Sequence, residues 1–285
     1  MTREDFRFFE RLRVRWAEID AQQIVFNAHY LMYFDTAIAA YWRALALPYA
    51  LTMAQLEGDL FVRKATVEYE ASARYDDVLD VGVRCARIGN SSITFEGGAY
   101  RQDQRLVSCE LVYVFADPAT QTSRRVPQSL RSVLLGFERS EPMLDMRIGP
   151  WAALGAAARE IRKAVFVDEQ AIPARLEWDD ADAAATHAVA YNRLGLALAT
   201  GRLRQEGPGA MRIGRMAAIR AARGSGVGRA VLDALLREAV GRGAVEVVVH
   251  AQQRVQSFYL RAGFVPRGPA FEEAGIAHIE MTWRT

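Results

Sequence analysis

Residues 222–230 read ARGSGVGRA, and VLDALLREA follows at once. Gly224, Gly226 and Gly228 alternate between Arg223 and Arg229. Glycine lets backbone N–H groups turn toward a ligand with no Cβ in the way. A helix opening on such a loop adds unpaired donors and the positive end of its dipole. The chemistry is anion binding, and three phosphates qualify: that of a dinucleotide, of a nucleoside triphosphate, or of coenzyme A. A P-loop is excluded, because no Lys-Ser or Lys-Thr follows the last glycine. A dinucleotide fingerprint fits poorly, since the spacing is G-x-G-x-G and the loop lies far from any first βαβ unit. A tight turn with no ligand is the plain alternative. What is left is R-x-x-G-x-G at Arg223, Gly226 and Gly228.

Other reactive side chains are dispersed. Asp20 closes the strand-like FERLRVRWAEID, where a lone aspartate ordinarily serves a turn or cap. Glu177, Asp179, Asp180 and Asp182 form an acidic run that reads as a solvated loop. Cys85 and Cys109 sit singly in strand-like patterns and read as buried free thiols.

The elements that must position these groups change in texture along the chain. At 285 residues two domains are expected, at about 100–200 residues each. We place them at residues 1–139 and 146–285, with a linker at 140–145, where charge and a proline interrupt the periodicity. In the first, a strand precedes HYLMYFDTAIAAYWRALAL, whose Leu31, Phe34, Ile38, Tyr41, Trp42 and Leu45 recur at helical spacing. Four alternating strand segments follow, beginning with FVRKATVEYEASARY, and PQSLRSVLLGF closes the domain as a helix. A helix this apolar needs a sheet wrapped around it, so the domain is α+β. The second domain alternates strands and helices as mixed α/β, with the glycine loop between the strand AMRIGRMAAI and a helix, then the apolar strand AVEVVVHA.

The composition, 51% hydrophobic and 25% charged, is ordinary for a globular chain, and a net charge of +2 gives no nucleic-acid signature. Arginine greatly outnumbers lysine, which suits bidentate phosphate contacts. The N-terminal MTREDFRFFERLR has no apolar signal core. No run approaches the roughly 18 apolar residues of a membrane span. A cytoplasmic protein without membrane or nucleic-acid partners is expected.

Around the glycine loop, REIRKAVFVDEQAIP, IGRMAAI and HAQQRVQSFYLRAGFVPRGPAFEEAGIAHIEM resemble the GNAT acetyltransferase superfamily, in its ElaA-like branch, over nearly all of residues 146–284. The resemblance implies acetyl-CoA or coenzyme A as co-substrate and no metal. It puts Met216, Ala217 and Ala218 along the pantetheine arm. It puts Arg223, Gly224, Ser225, Gly226, Val227, Gly228 and Arg229 around the pyrophosphate. It makes Tyr259 the general acid that protonates the departing thiolate. A small-molecule or peptide amine is the implied acceptor, which the acidic run would attract and deprotonate if it were not simply solvated. His250 and His278 read as structural, and Gln253 stands where many relatives have asparagine.

The first domain, through RVRWAEID, IVFNAHYLMYFD and its strand order, resembles hotdog-fold acyl-CoA thioesterases of the 4-hydroxybenzoyl-CoA type over residues 7–137. This implies Asp20 as nucleophile or general base, a thioester carbonyl polarised at the start of the central helix, and a homodimer or homotetramer. Asn27, Tyr30 and Tyr33 follow the family pattern. Gln23 stands where relatives have glycine, with an expected crowding of the acyl group, and Asp35 replaces a glutamate. The expectation is a bifunctional enzyme that hydrolyses one CoA thioester and transfers acetyl from another. The rival readings keep only one of the two activities.

Overall fold

The computed structural model describes residues 1–284. The chain divides into two compact units, Met1–Met143 and Leu144–Thr285.

In the first unit, β1 (Phe8–Arg13) leads to the helix α1 (Ala28–Ala44) and the short α2 (Tyr49–Gln55). Then come β2 (Asp59–Tyr69), β3 (Val78–Ile88), β4 (Ser92–Arg101), β5 (Gln104–Ala116) and α3 (Gln128–Glu138). The five strands form one antiparallel sheet in the order β1-β3-β4-β5-β2. The apolar stripe of α1 buries Phe34, Ile38, Tyr41, Trp42 and Leu45, but Leu31 of that stripe is exposed. Gly97 allows the close approach: a Cβ there would stand 2.7 Å from the Phe34 ring. The first strand is shorter than its pattern suggests. Trp16–Glu18 is a 3-10 turn, because the Glu18 carboxylate accepts from the Arg15 N–H at 2.8 Å and winds the chain. The alternation in β2 builds no buried face either, since that strand is the sheet edge and is largely exposed.

In the second unit, β6 (Leu144–Pro150) and α4 (Trp151–Arg162) run into a π-helical segment at Lys163–Glu169. Two single turns, α5 (Ala174–Glu177) and α6 (Ala181–Ala184), precede β7 (Thr186–Asn192), β8 (Ala197–Gly207) and β9 (Ala210–Ala218). After the glycine loop come α7 (Val227–Gly241), β10 (Glu246–Gln252), α8 (Gln256–Leu260), β11 (Val265–Glu273) and β12 (Ile276–Arg284). The seven-stranded sheet runs β11-β12-β10-β9-β8-β7-β6, with β9 and β10 parallel. Sequence periodicity misses β11, which carries Pro266 and Pro269; an edge position tolerates prolines that a central strand would not. Helix α4 packs Leu154, Ala158 and Ile161 with Val189 and Ala217, while Val231 and Leu235 of α7 reach Gly201. No helix among the described residues is long and apolar enough to cross a membrane.

Candidate functional site

The second unit is open where its two parallel strands part. Pairing of β9 with β10 runs only from Ala210–Glu246 to Ile213–Val249, although β9 continues to Ala218 and β10 to Gln252. Arg215 takes a left-handed conformation (φ +52°) beside a register shift against β8, which bends β9 away. A cavity of about 1120 Å³ fills the parting. Met216, Ala217 and Ala218 line it, as do Arg223, Gly224, Gly226, Val227, Gly228 and Arg229. Ser225 does not: its Oγ donates to the Ala222 carbonyl at 2.6 Å, so its side chain braces the loop.

The glycines are required by backbone shape. Gly224 and Gly226 sit at φ +82° and +84°, where a side chain is strained, and Gly226 opens α7. No side chain caps that helix, so its first N–H groups face the loop. Arg223 donates both Nη atoms to Glu169 at 2.7 Å each and its Nε to the Ala218 carbonyl at 3.2 Å. That guanidinium holds the Glu169 carboxyl below its ordinary pKa. Arg229 bonds Asp233 and the Arg261 carbonyl.

Tyr259, on α8, lines the same cavity and is only 6% exposed, edge-on to Phe258 and Phe264. Burial pushes its phenol well above the ordinary value, so the hydroxyl keeps its proton. His250 and His278 also line the cavity. His250 faces two carboxylates, Glu273 from Nδ1 and Glu280 from Nε2, each at 3.5 Å. The Nδ1 of His278 bonds the Ile276 carbonyl at 2.8 Å.

The acidic run is not a solvated loop. Glu177 and Asp182 are buried, and Arg162, itself 1% exposed, donates to Glu177 at 2.5 Å and to Asp182 at 2.8 Å. Arg202 donates to Asp179 at 2.5 Å and to Asp182 at 2.8 Å. Burial raises the Glu177 carboxyl. Burial also acts upward on Asp182, but hydrogen bonds and charge from Arg162 and Arg202 outweigh it and leave that group low. Buried carboxylates persist only when paired in this way. Asp180 is exposed.

In the first unit, Asp20 lies in a hairpin that doubles back just before α1: its N–H bonds the Ile24 carbonyl, and Phe26 N–H bonds the Glu18 carbonyl. The Asp20 carboxylate accepts from Gln22 N–H at 2.8 Å and lies 3.5 Å from that of Ile24. Gln23 has φ +63°, and its N–H bonds the Asp20 carbonyl. That left-handed backbone favours glycine, so Gln23 strains the turn. Asn27 and Asp35 are exposed. No side chain caps α1, and the N–H groups of His29 and Tyr30 turn back on Phe26 and Asn27.

Residues 156–285 match the Acetyltransferase (GNAT) domain family, and residues 22–108 match the Thioesterase superfamily. YjcF of Bacillus subtilis (strain 168), an uncharacterized N-acetyltransferase, is 32% identical over 122 residues, 42% of this chain and 86% of that protein. The acyl-CoA thioester hydrolase YbgC of Escherichia coli O6:H1 is 28% identical over 120 residues, 42% of this chain and 89% of YbgC. A solved acyl-CoA N-acyltransferase of Pseudomonas aeruginosa, 32% identical, aligns with 49% of this chain and 98% of its own at a TM-score of 0.45.

The chain belongs to both families. It is a CoA-related protein with a hotdog thioesterase unit followed by a GNAT unit. In the hotdog unit, sequence reasoning missed Glu18, which is buried and accepts from the Tyr33 hydroxyl at 2.6 Å and from Arg15 at 2.7 Å. Its only signal was a glutamate two residues before Asp20. In the GNAT unit it assigned no role to Glu169, Arg212 or Arg215, although Glu169 stands in REIRKAVFVDEQAIP and Arg215 in IGRMAAI.

Proposed function

We propose that the GNAT unit transfers acetyl from acetyl-CoA to an amine and that the hotdog unit hydrolyses an acyl-CoA thioester. The carrying observation is that Met216–Ala218, the glycine loop and Tyr259, separated by more than forty positions of sequence, line one cavity. The parted edge of β9 offers backbone groups to a pantetheine arm, as a missing strand would. The glycine loop and the α7 N-terminus supply N–H donors for a pyrophosphate, and Arg223 exchanges Glu169 for phosphate oxygen. The amine nitrogen attacks the thioester carbonyl carbon, the C–N bond forms, and the C–S bond breaks. The sulfur leaves with the bonding pair and takes the Tyr259 proton, which a buried phenol gives up only to a base as strong as a developing thiolate.

In the hotdog unit, Asp20 is the group that attacks, or activates water to attack, the acyl carbon. The Ala28 N–H at the start of α1 polarises the carbonyl oxygen. The exposed free edge of β2 supports a homodimer or homotetramer built through this unit.

Thiol release from a panel of acyl-CoAs, with and without amines, tests both halves. Tyr259→Phe should lower amine-dependent release by about 10²-fold or more while acetyl-CoA still binds; an unaffected rate removes its role. Asp20→Asn should abolish amine-independent release alone. Hydrolysis that survives the change leaves the hotdog unit as a module for binding or assembly.

A further inference from the structure

The cavity extends past the segment assigned to pantetheine. Backward along β9 from the phosphate loop, Met216–Ala218 give way to Arg215, Gly214 and Arg212. Arg212 stands six positions before Ala218, beyond the bend at Arg215 and on the side away from the glycine loop. With pantetheine along Met216–Ala218, that is the acceptor side of the thioester.

Both guanidinium side chains are partly open, each 22% exposed. Arg212 spends Nη2 on Glu206 at 2.6 Å, but its Nε is buried with no hydrogen-bond acceptor. Arg215 gives Nη2 to Asp179 at 3.2 Å, and its Nε is likewise buried without a hydrogen bond, with Glu177 3.4 Å away but misaligned. Beside them stands a group of opposite preference: His250 Nδ1 is 3.4 Å from Arg212 Nη1 and 3.5 Å from Glu273. Arg212, Arg215, His250 and Glu273 all line the cavity.

We propose that the acceptor is a small amino carboxylate, a molecule with an amine a few bonds from a carboxylate. Arg212 and Arg215 take the carboxylate, while His250 and Glu273 receive the ammonium. Arg162 and Arg202 pair with Glu177, Asp179 and Asp182, which lowers the negative charge the acidic run presents to such a ligand. His250 takes one proton from the ammonium, which frees the lone pair for attack. The nitrogen's second proton restores the one Tyr259 gives to sulfur, so each turnover releases only the proton taken by His250. This assignment rests on acetyl transfer being the reaction of the GNAT unit.

The whole 285-residue chain with acetyl-CoA is assayed on matched pairs: lysine and cadaverine, phenylalanine and phenethylamine, β-alanine and ethylamine. In the productive pair, the carboxylate-bearing member should have at least tenfold higher kcat/KM. Arg212→Gln should raise the KM for that acceptor about tenfold and leave the KM for acetyl-CoA unchanged, with Arg212→Lys intermediate. Amines that serve as well without the carboxylate overturn the proposal and leave transfer intact, as does an Arg212→Gln effect that falls equally on both substrates. If no amine drives thiol release while calorimetry still shows acetyl-CoA bound, the transfer reading itself fails and takes this one with it.

Discussion

Gln23 shows how a single residue can carry strain in a turn that also presents a candidate catalytic group. Its left-handed backbone costs a side-chain-bearing residue about 1–2 kcal/mol, while its N–H holds the turn around Asp20. Gln23→Gly should stabilise the hotdog unit by about 0.5–1 kcal/mol, after the entropy that glycine costs the folded state. Equilibrium denaturation of the two proteins measures this, and a loss of stability would show that the Gln23 side chain does more than occupy a turn. The cysteines behave as their isolated placement in strands suggests. Both are free and buried, and burial pushes each thiol up to about 12.

Between elements, the largest commitment is the buried ion network that joins α4, the turns after it, and β8. With Arg215 of β9, its three arginines match Glu177, Asp179 and Asp182, so the set is neutral while each member is costly singly. Arg162→Ala leaves Glu177 and Asp182 buried without their shared partner, and a loss of about 3–5 kcal/mol is expected. Denaturant unfolding that shows less than about 1 kcal/mol would mean that water or Arg202 replaces it. A second pairing ties β1 to β3: Arg11 and Arg3 both donate to Asp80, at 2.7 and 2.5 Å. The hydrogen bond from Arg11, with that from Arg3, holds the Asp80 carboxyl below its ordinary value despite burial. The unfolded chain, with Asp near about 3.9, then binds more protons than the folded one in acid. The stabilisation is complete above that value and lost as pH falls through the lower folded pKa. Asp80→Asn should flatten the acid limb of the hotdog unit's stability below about pH 4, and an unchanged limb would assign acid sensitivity to other carboxylates.

For the molecule as a whole, the open question of assembly falls on β2, an exposed edge whose outward residues include Val62 at 58% and Tyr69 at 51% exposure. Soluble proteins rarely leave such an edge unguarded. Val62→Lys should shift a dimer or tetramer toward monomer in sedimentation and reduce hydrolysis with it. A wild-type chain that sediments as a monomer would remove the reading. What the sequence determined on its own is what local backbone physics and periodicity encode: the antiparallel strands around a long apolar helix, the change to alternating α/β, and a loop-to-helix turn marked by glycines at Gly224 and Gly226. Only the tertiary structure decided the rest. Arg162, Arg202 and Arg215 come from three separate elements to neutralise an acidic run that looks solvated in one dimension. Ser225 is turned away from the cavity by a bond to its own loop, and Arg212 meets His250 across 38 positions. Charge pairing and burial depend on distance in space, and spacing along the chain carries no record of it.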